Sequence, residues 1–191
     1  MENRNELFRA IPIFDSELKD DEIRDFTVNH KEGTNLVKYL AGFAENDEEK
    51  HNMRTYLVRD NNTDELIGYF SLKAGMISVN EQKIGDSDSF DTRPGVELAN
   101  FAINSSYIKK HDYMKGVGKV IFHRLIKSII HEAADKIGIR YIYIFALPFD
   151  SLMKRYEDYG FKRLSSKQEE ALHTRLKPNY DQNCIFMYQE L

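Results

Sequence analysis

Apolar and polar positions along this chain follow a helical rhythm in some stretches and a strand rhythm in others. Leu36, Tyr39, Leu40, Phe43 and Ala44 recur at helical spacing and predict a helix over about 33–46. The rest of the first fifty residues is charged and weakly periodic. RTYLVRD (Arg54–Asp60) and LIGYFSLKAGMISV (Leu66–Val79) read as two strands joined by the turn NNTDE, which predicts a hairpin. The polar segment from Asn80 to Gly95 reads as a loop. VELANFAI (Val96–Ile103) is apolar enough for the interior of a sheet, and Asn104–Lys115 reads as a second polar loop.

Beyond Gly116 and Gly118 the rhythm turns helical. Phe122, Leu125, Ile126, Ile129, Ile130, Ala133 and Ile137 form one stripe, with His123, Arg124, Lys127, His131 and Glu132 on other faces. This predicts an amphipathic helix of about 17 residues, roughly 25 Å long, with Gly138 as its stop. YIYIFALP (Tyr141–Pro148) is a continuous apolar run, as expected of a strand buried on both faces. Asp150 or Ser151 can cap a short helix that turns Leu152, Met153 and Tyr156 inward and ends at Gly160. FKRL and CIFMYQEL supply the last strands. A helix between two apolar strands implies a crossover and locally parallel pairing.

Composition narrows the function classes. Of 191 residues, 41% are hydrophobic and 30% charged, the balance of a globular domain with a sizeable core. The net charge of −4 gives no global drive toward nucleic acid or anionic membranes. One cysteine, Cys184, cannot form an intramolecular disulfide and fits a reducing compartment. Its apolar neighbours mark it as a packing residue. The N-terminal segment lacks the basic-then-apolar layout of a signal peptide, and no apolar run approaches the ~20 residues a membrane helix needs. A cytoplasmic location is expected. The six histidines show no H-x-x-x-H or H-E-x-x-H spacing, so no metal is expected.

The pair Gly116 and Gly118 stands where a long helix begins, although glycine is a poor helix former. A helix start offers free N–H groups and the positive end of the dipole, and glycine lets a bulky anion approach the backbone. Lys115 and Lys119 flank the pair and add charge. The pattern is neither the Walker sequence nor the dinucleotide fingerprint. A plain turn is the competing reading.

In order, residues 95–164 contain an apolar strand, this glycine turn, a long helix, a buried strand and RYEDYGF. That order and spacing resembles the GNAT superfamily of acyl-CoA-dependent N-acetyltransferases. The family signature [Q/R]-x-x-G-x-[G/A] falls on YMKGVG: Gly116 and Gly118 match, whereas Tyr113 stands where a basic or amide residue is usual. The loop before it is also a few residues longer than usual. The resemblance implies a mixed α/β fold with a central, partly parallel, splayed sheet flanked by helices. It implies one domain over 1–191, with a core at 53–164 and acceptor-side helices at about 20–48. It also implies acetyl-CoA as cosubstrate. Phe101, Ala102 and Ile103 would offer backbone groups to the pantetheine arm. Lys115, Gly116, Val117, Gly118 and Lys119 would hold the pyrophosphate. The strand from Tyr141 would splay from the one containing Val96 and open a cleft for the thioester.

Acetyl transfer to an amine needs a neutral amine, a polarised thioester carbonyl and an acid for the leaving thiolate. Tyr156, four residues before Gly160 in YEDYGF, matches the family's Y-x-x-x-G-F and is the candidate acid, with Tyr159 its rival. Tyr156 also falls on the inward stripe of its helix, where it could simply pack. Glu97, six residues before Ile103, is the candidate base, because a carboxylate on an apolar strand is costly unless partnered. Its structural alternative is a strand-end glutamate in solvent or paired with Arg93. Asn100 and Asn104 bracket the strand and read first as structural.

The acceptor would be a primary amine of a small molecule or a protein, bound by residues 20–50, 80–94 and 165–182. The acidic runs ENDEEK and DSDSFD could attract a cationic amine, though such runs are commonly just solvated. FTVNHKEGTNLVKYL followed by RTYLV and GYFSL also resembles GNAT-type toxins that acetylate aminoacyl-tRNA. Two basic stretches, YIKKHDYMKGVGK and KRYEDYGFKRLSSK, could contact RNA phosphates. Net acidity and length weigh against nucleic acid, which leaves tRNA as an alternative. A non-catalytic acyl-CoA-binding or interaction module is the third reading. Homodimers are common in this family, but no residue pattern here specifies one.

Overall fold

The computed structural model describes residues 7–84, 87–166, 168–170 and 183–191; the side chains of Glu32 and of residues 78–91 lie outside that description. Of the expected acceptor segments, residues 171–182 and the run DSDSFD therefore fall largely outside the described residues. Among the described residues, seven strands form one mixed sheet in the order β1-β2-β3-β4-β5-β7-β6. They are β1 (Phe8–Pro12), β2 (Arg54–Asp60), β3 (Leu66–Ile84), β4 (Ser87–Ile103), β5 (Tyr141–Ala146), β6 (Lys162–Arg163) and β7 (Ile185–Glu190). The predicted parallel crossover is present: β4 runs parallel to β5, with Gly95, Val96 and Glu97 opposite Tyr141, Ile142 and Tyr143. That ladder covers three residue pairs.

The chain divides into two compact units, Met1–Lys73 with Leu98–Ile129 and Ala74–Glu97 with Ile130–Leu191, so β3 and β4 contribute to both. In the first unit, α1 (Asp20–Asp25), α2 (Thr34–Gly42) and α3 (Ala44–Glu49) precede the β2–β3 hairpin. The predicted helix over 33–46 is thus two helices broken at Phe43. Ile13, Phe26, Leu40, Ala44, Leu57, Leu66, Tyr69 and Ala102 form the core, and the buried Tyr69 hydroxyl donates to the Leu36 carbonyl at 2.7 Å. Gly68 sits where β3 and β4 touch: a Cβ there would lie 2.4 Å from the carbonyl oxygen of Ala102. Backbone cannot yield as a side-chain tip can. Gly68→Ala is therefore expected to lower stability by about 1–3 kcal/mol, the cost of overpacking, read as a fall in the urea midpoint.

Arg59 of β2 is 3% exposed and fully engaged. It donates to both carboxylate oxygens of Glu22 at 2.6 and 3.0 Å, to Ser16 Oγ at 2.8 Å, and to the carbonyls of Glu17 and Asp64 at 2.7 and 2.8 Å. This closed network ties α1 to β2.

In the second unit, Ile77, Tyr141, Tyr143, Leu164 and Phe186 form the core, with Phe145 and Tyr188 packed against it. Strand β7 runs antiparallel to both β5 and β6.

The structure corrects four further expectations. Residues 80–95 are not a loop throughout: β3 continues to Ile84 and β4 begins at Ser87. Hydrophobic alternation reports burial, whereas strand pairing needs only backbone groups, so a polar strand leaves no such signal. Asn104–Lys115 is not a loop either. It holds α4 (Ser105–Lys110) and a 3-10 turn (Asp112–Met114), pieces too short to show a period. The long helix begins as expected, as α5 (Val117–Ile121) and α6 (Lys127–Ala134), but a π-helical segment (Phe122–Ile126) lies between them. It ends at Ala134 rather than near Gly138, and Ile137 is 61% exposed instead of lying in the stripe. Its last turn closes with the N–H groups of Lys136 and Ile137 both on the Ala133 carbonyl. Finally, α7 (Asp150–Asp158) starts with Asp150 inside its first turn, and no side chain caps it.

Candidate functional site

The glycine turn belongs to the first unit. Gly116 is the N-cap of α5 with φ 82° and ψ 4°, the left-handed region that side-chain-bearing residues rarely adopt. A Cβ on Gly116 would meet nothing within 4 Å. The backbone conformation, not crowding, therefore requires glycine, and the space above the turn is open. No side chain caps α5, and the first N–H groups of a helix have no intrahelical carbonyl to reach. The Lys119 amide is already engaged, donating to the Gly116 carbonyl at 3.1 Å. The expected amide seat thus narrows to Val117 and Gly118, with the Lys119 side chain exposed beside them. Lys115 is also exposed and pairs with Asp112 at 3.0 Å.

The segment leading into this turn is firmly held. Asn104 caps α4, accepting from the Ser106 amide at 3.0 Å and the Thr27 amide at 3.3 Å, and donating to the Leu66 carbonyl at 3.1 Å. That answers the question about Asn104: it is structural. Tyr107 donates to Asp60 Oδ2 at 2.5 Å, and its phenol is pushed up by burial and by that carboxylate. Burial alone would raise Asp60, but Tyr107 and the amides of Asn62 and Thr63 outweigh it and hold the carboxyl below its usual range. His111, one residue past α4, bonds Glu65 at 2.9 Å and packs its ring 4.3 Å from Tyr107.

Phe101 and Ile103 are half-buried and Ala102 is buried on the stretch of β4 expected to face the pantetheine arm. Asn100 is half-buried and donates weakly to the Met53 sulfur at 3.9 Å, the same sulfur that accepts from Tyr39 at 3.4 Å.

Glu97 and Tyr156 belong to the second unit. Glu97 is 5% exposed, so it is not a solvent-facing strand-end residue. Tyr143 is its neighbour across the parallel ladder; burial pushes that phenol up, and the nearby Glu97 carboxylate pushes it further. The Tyr143 neighbour escaped the sequence reading. A signal for it existed in Gly75 and Gly95, since glycines inside strands often mark close approach.

Tyr156 lies on α7, half-buried, with its ring edge-on to Tyr159 at 5.9 Å and to Phe161 at 5.6 Å. Its phenol is pushed up by burial and then by Tyr159, against a smaller opposing effect of Arg155. The group therefore stays protonated through the physiological range, as a proton donor must. Tyr159, the rival, is only 6% exposed and closes the helix end. Gly160 follows with φ 97° and ends the helix as expected. Among the described residues no group of three or more His, Cys, Asp or Glu side chains could hold a metal ion, and no helix is long and apolar enough to cross a membrane.

A mixed sheet with a short parallel ladder, a left-handed glycine opening the crossover helix and a tyrosine helix ending in Gly-Phe is the GNAT fold. Solved structures of that fold match nearly the whole chain. AtaTR bound with acetyl-CoA aligns at a TM-score of 0.60 and 16% identity, covering 94% of this chain and 92% of its own. AtaT complexed with acetyl-methionyl-tRNAfMet gives 0.62 and 16%, covering 94% and 93%. A tyrosine-to-phenylalanine mutant of KacT gives 0.61 and 14%, covering 96% and 95%. No protein-family model and no curated protein matches the sequence. At such identities the likeness is one of fold.

Proposed function

We propose that residues 1–191 act as one N-acetyltransferase that moves the acetyl group of acetyl-CoA to a primary amine by direct attack, in the cytoplasm. One observation carries this reading. Gly116 adopts a left-handed N-cap with open space above it, at the start of an uncapped helix behind the strand Phe101–Ile103. Such a turn suits a pyrophosphate: the Val117 and Gly118 amides donate, the helix dipole is favourable, and Lys115 and Lys119 add positive charge. When bound, acetyl-CoA supplies an activated acyl group with a thiolate leaving group. Glu97, buried on β4, takes the proton of the attacking amine. Tyr156 keeps its proton until a departing thiolate needs one.

A second reading of the acceptor is favoured by one finding: AtaT, of the same fold, was solved with acetyl-methionyl-tRNAfMet. The α-amino group of an aminoacyl-tRNA is itself a primary amine, so that reading changes the acceptor and not the chemistry. Calorimetric titration with acetyl-CoA tests the cofactor seat, with Gly118→Glu placing a carboxylate where the pyrophosphate would lie. Micromolar binding by the parent chain, lost in the variant, is expected. The binding chain would then be offered polyamines, lysine peptides and charged tRNA. Absence of binding by the parent chain would leave a non-catalytic module as the better account.

A further inference from the structure

His111 carries more attachments than its place after a short helix calls for. Its backbone N–H donates to the Tyr107 carbonyl at 3.0 Å and ends α4. Its carbonyl accepts from the Met114 amide at 2.8 Å and opens the 3-10 turn. Its ring packs 4.3 Å from Tyr107 and stands edge-on to Tyr113 at 5.8 Å. Its Nε2 meets Glu65 Oε2 at 2.9 Å, although 46 positions separate the two. Glu65 lies in the β2–β3 turn, and its carboxylate is held from two more sides. Oε2 also accepts from the Thr63 hydroxyl at 3.1 Å, and Oε1 faces Lys110 at 3.6 Å. The turn itself is built on Asp60, which accepts from the amides of Asn62 and Thr63 at 2.7 and 3.2 Å. All of these residues belong to the first unit.

Beyond His111 the chain has few other holds. Asp112, Tyr113, Lys115 and Gly116 are exposed, and between His111 and Val117 only Met114, 6% exposed, is buried. We infer that His111 is a positioning residue for the Gly116 turn: clasped to Glu65, it fixes where the chain enters that turn from the β2–β3 hairpin. The inference rests on the reading of the Gly116 turn as the pyrophosphate seat. An imidazole–carboxylate pair whose side chains are 21% and 36% exposed contributes little to global stability. A seat formed in only part of the population, however, binds more weakly in proportion to that fraction. The clasp therefore weighs on binding where it hardly weighs on folding. Arg9 of β1 makes a comparable half-exposed pair with Asp64 of the same hairpin turn at 2.5 Å, but ties that turn to a different strand.

The first arm of the test needs no ligand. The amide resonances of Gly116 and Gly118 report the turn directly. Hydrogen exchange at the Met114 and Lys119 amides reports the two bonds that shape it, to the carbonyls of His111 and Gly116. Glu65→Ala opens the clasp from a distant point in the sequence and leaves the chain around the turn unaltered. It should move both glycine resonances and quicken both exchanges, whereas Arg9→Ala should leave them as in the parent. Unmoved resonances and unchanged exchange in Glu65→Ala overturn the inference. An equal change in Arg9→Ala, or exchange that quickens as much throughout β2 and β3, marks a general loss of stability and overturns it too.

The second arm is the calorimetric Kd of acetyl-CoA. Glu65→Ala and His111→Ala should each raise it about 5- to 10-fold, as the formed fraction of the seat falls. The double variant should raise it no further, since the two residues are halves of one contact. His111→Gln, which keeps a donor at that position, should recover part of the loss. In turnover, KM for acetyl-CoA should rise with kcat unchanged. Losses that add in the double variant would mean that each residue acts alone, and would overturn the inference. A parent chain that binds no acetyl-CoA would sink the transferase reading instead, and the resonances and exchange rates would then decide the positioning role alone.

Discussion

Tyr156→Phe is expected to slow acetyl transfer on the order of 10²–10³-fold, the weight usually borne by a positioned acid, while acetyl-CoA binding stays at the parent level. The substitution removes one oxygen from a ring that keeps its contacts with Tyr159 and Phe161 at 5.9 and 5.6 Å. Helix α7 should therefore stand unchanged, and its far-ultraviolet spectrum and Tm should match the parent's. Because burial and Tyr159 raise the phenol pKa, the residue holds its proton across the neutral range. Transfer by the parent chain should accordingly show no alkaline loss from this group until pH exceeds the ordinary tyrosine range. Single-turnover kinetics would separate the two steps. A variant that turns over normally would assign Tyr156 to packing and return attention to Tyr159.

The largest stability effect is expected from Glu22→Ala. Arg59 is 3% exposed at its side chain and Glu22 18%, and the two meet at 2.6 Å. Removing the carboxylate leaves a buried guanidinium with Ser16 and two carbonyls, and only the more distant Asp64 charge to oppose it. Such a break costs about 3–5 kcal/mol, or about 2–4 °C in Tm for each kcal/mol in a chain of this size. Glu22 also accepts from the Lys19 amide at 3.2 Å, so α1 loses its first-turn bond as well. The double variant Glu22→Leu with Arg59→Met should recover most of the loss, since an apolar pair carries no desolvation debt. A denaturant midpoint for each of the three chains completes the cycle. If Glu22→Ala alone stays within about 0.5 kcal/mol of the parent, the range of a surface substitution, the network contributes little and the core of Leu57 and Tyr69 holds the unit by itself.

How much could be read in advance depended on which force shaped each segment. Strand β2 matches its expected limits, Arg54–Asp60, because a fully buried apolar centre, Leu57 and Val58, stands just before a polar turn. The parallel β4–β5 pairing followed from a helix set between two apolar strands, and it is present. The short strand β1, by contrast, gave no signal. Its five residues FRAIP hold one buried side chain, Phe8, and the rest are half-buried or exposed. Helix α4 went unseen because what specifies it is the Asn104 side chain, which reaches Thr27 and Leu66 far away in sequence. The glycine turn was legible as a turn with an anion-friendly helix start. The engagement of the Lys119 amide by Gly116 was not, since it depends on ψ at the N-cap. For Glu97, sequence could pose the problem of a carboxylate on an apolar strand. It could not supply the answer, because Tyr143 is placed beside it by register across the ladder and not by proximity in the chain.

The π-helical segment Phe122–Ile126 bears on how this helix tolerates changes in length. A π turn closes its hydrogen bonds one residue later than an α turn and so carries a surplus residue. Deleting one exposed residue from it, His123 or Arg124, would restore ordinary α geometry and leave the turns on either side close to their present facings, because the wide turn already absorbs the extra ~100° of twist. Ile121 and Phe122 on one side and Ile126 on the other are all fully buried and would keep their places in the core. The wide turn works as a splice: the helix can carry one residue more or one fewer here without turning either end out of its packing.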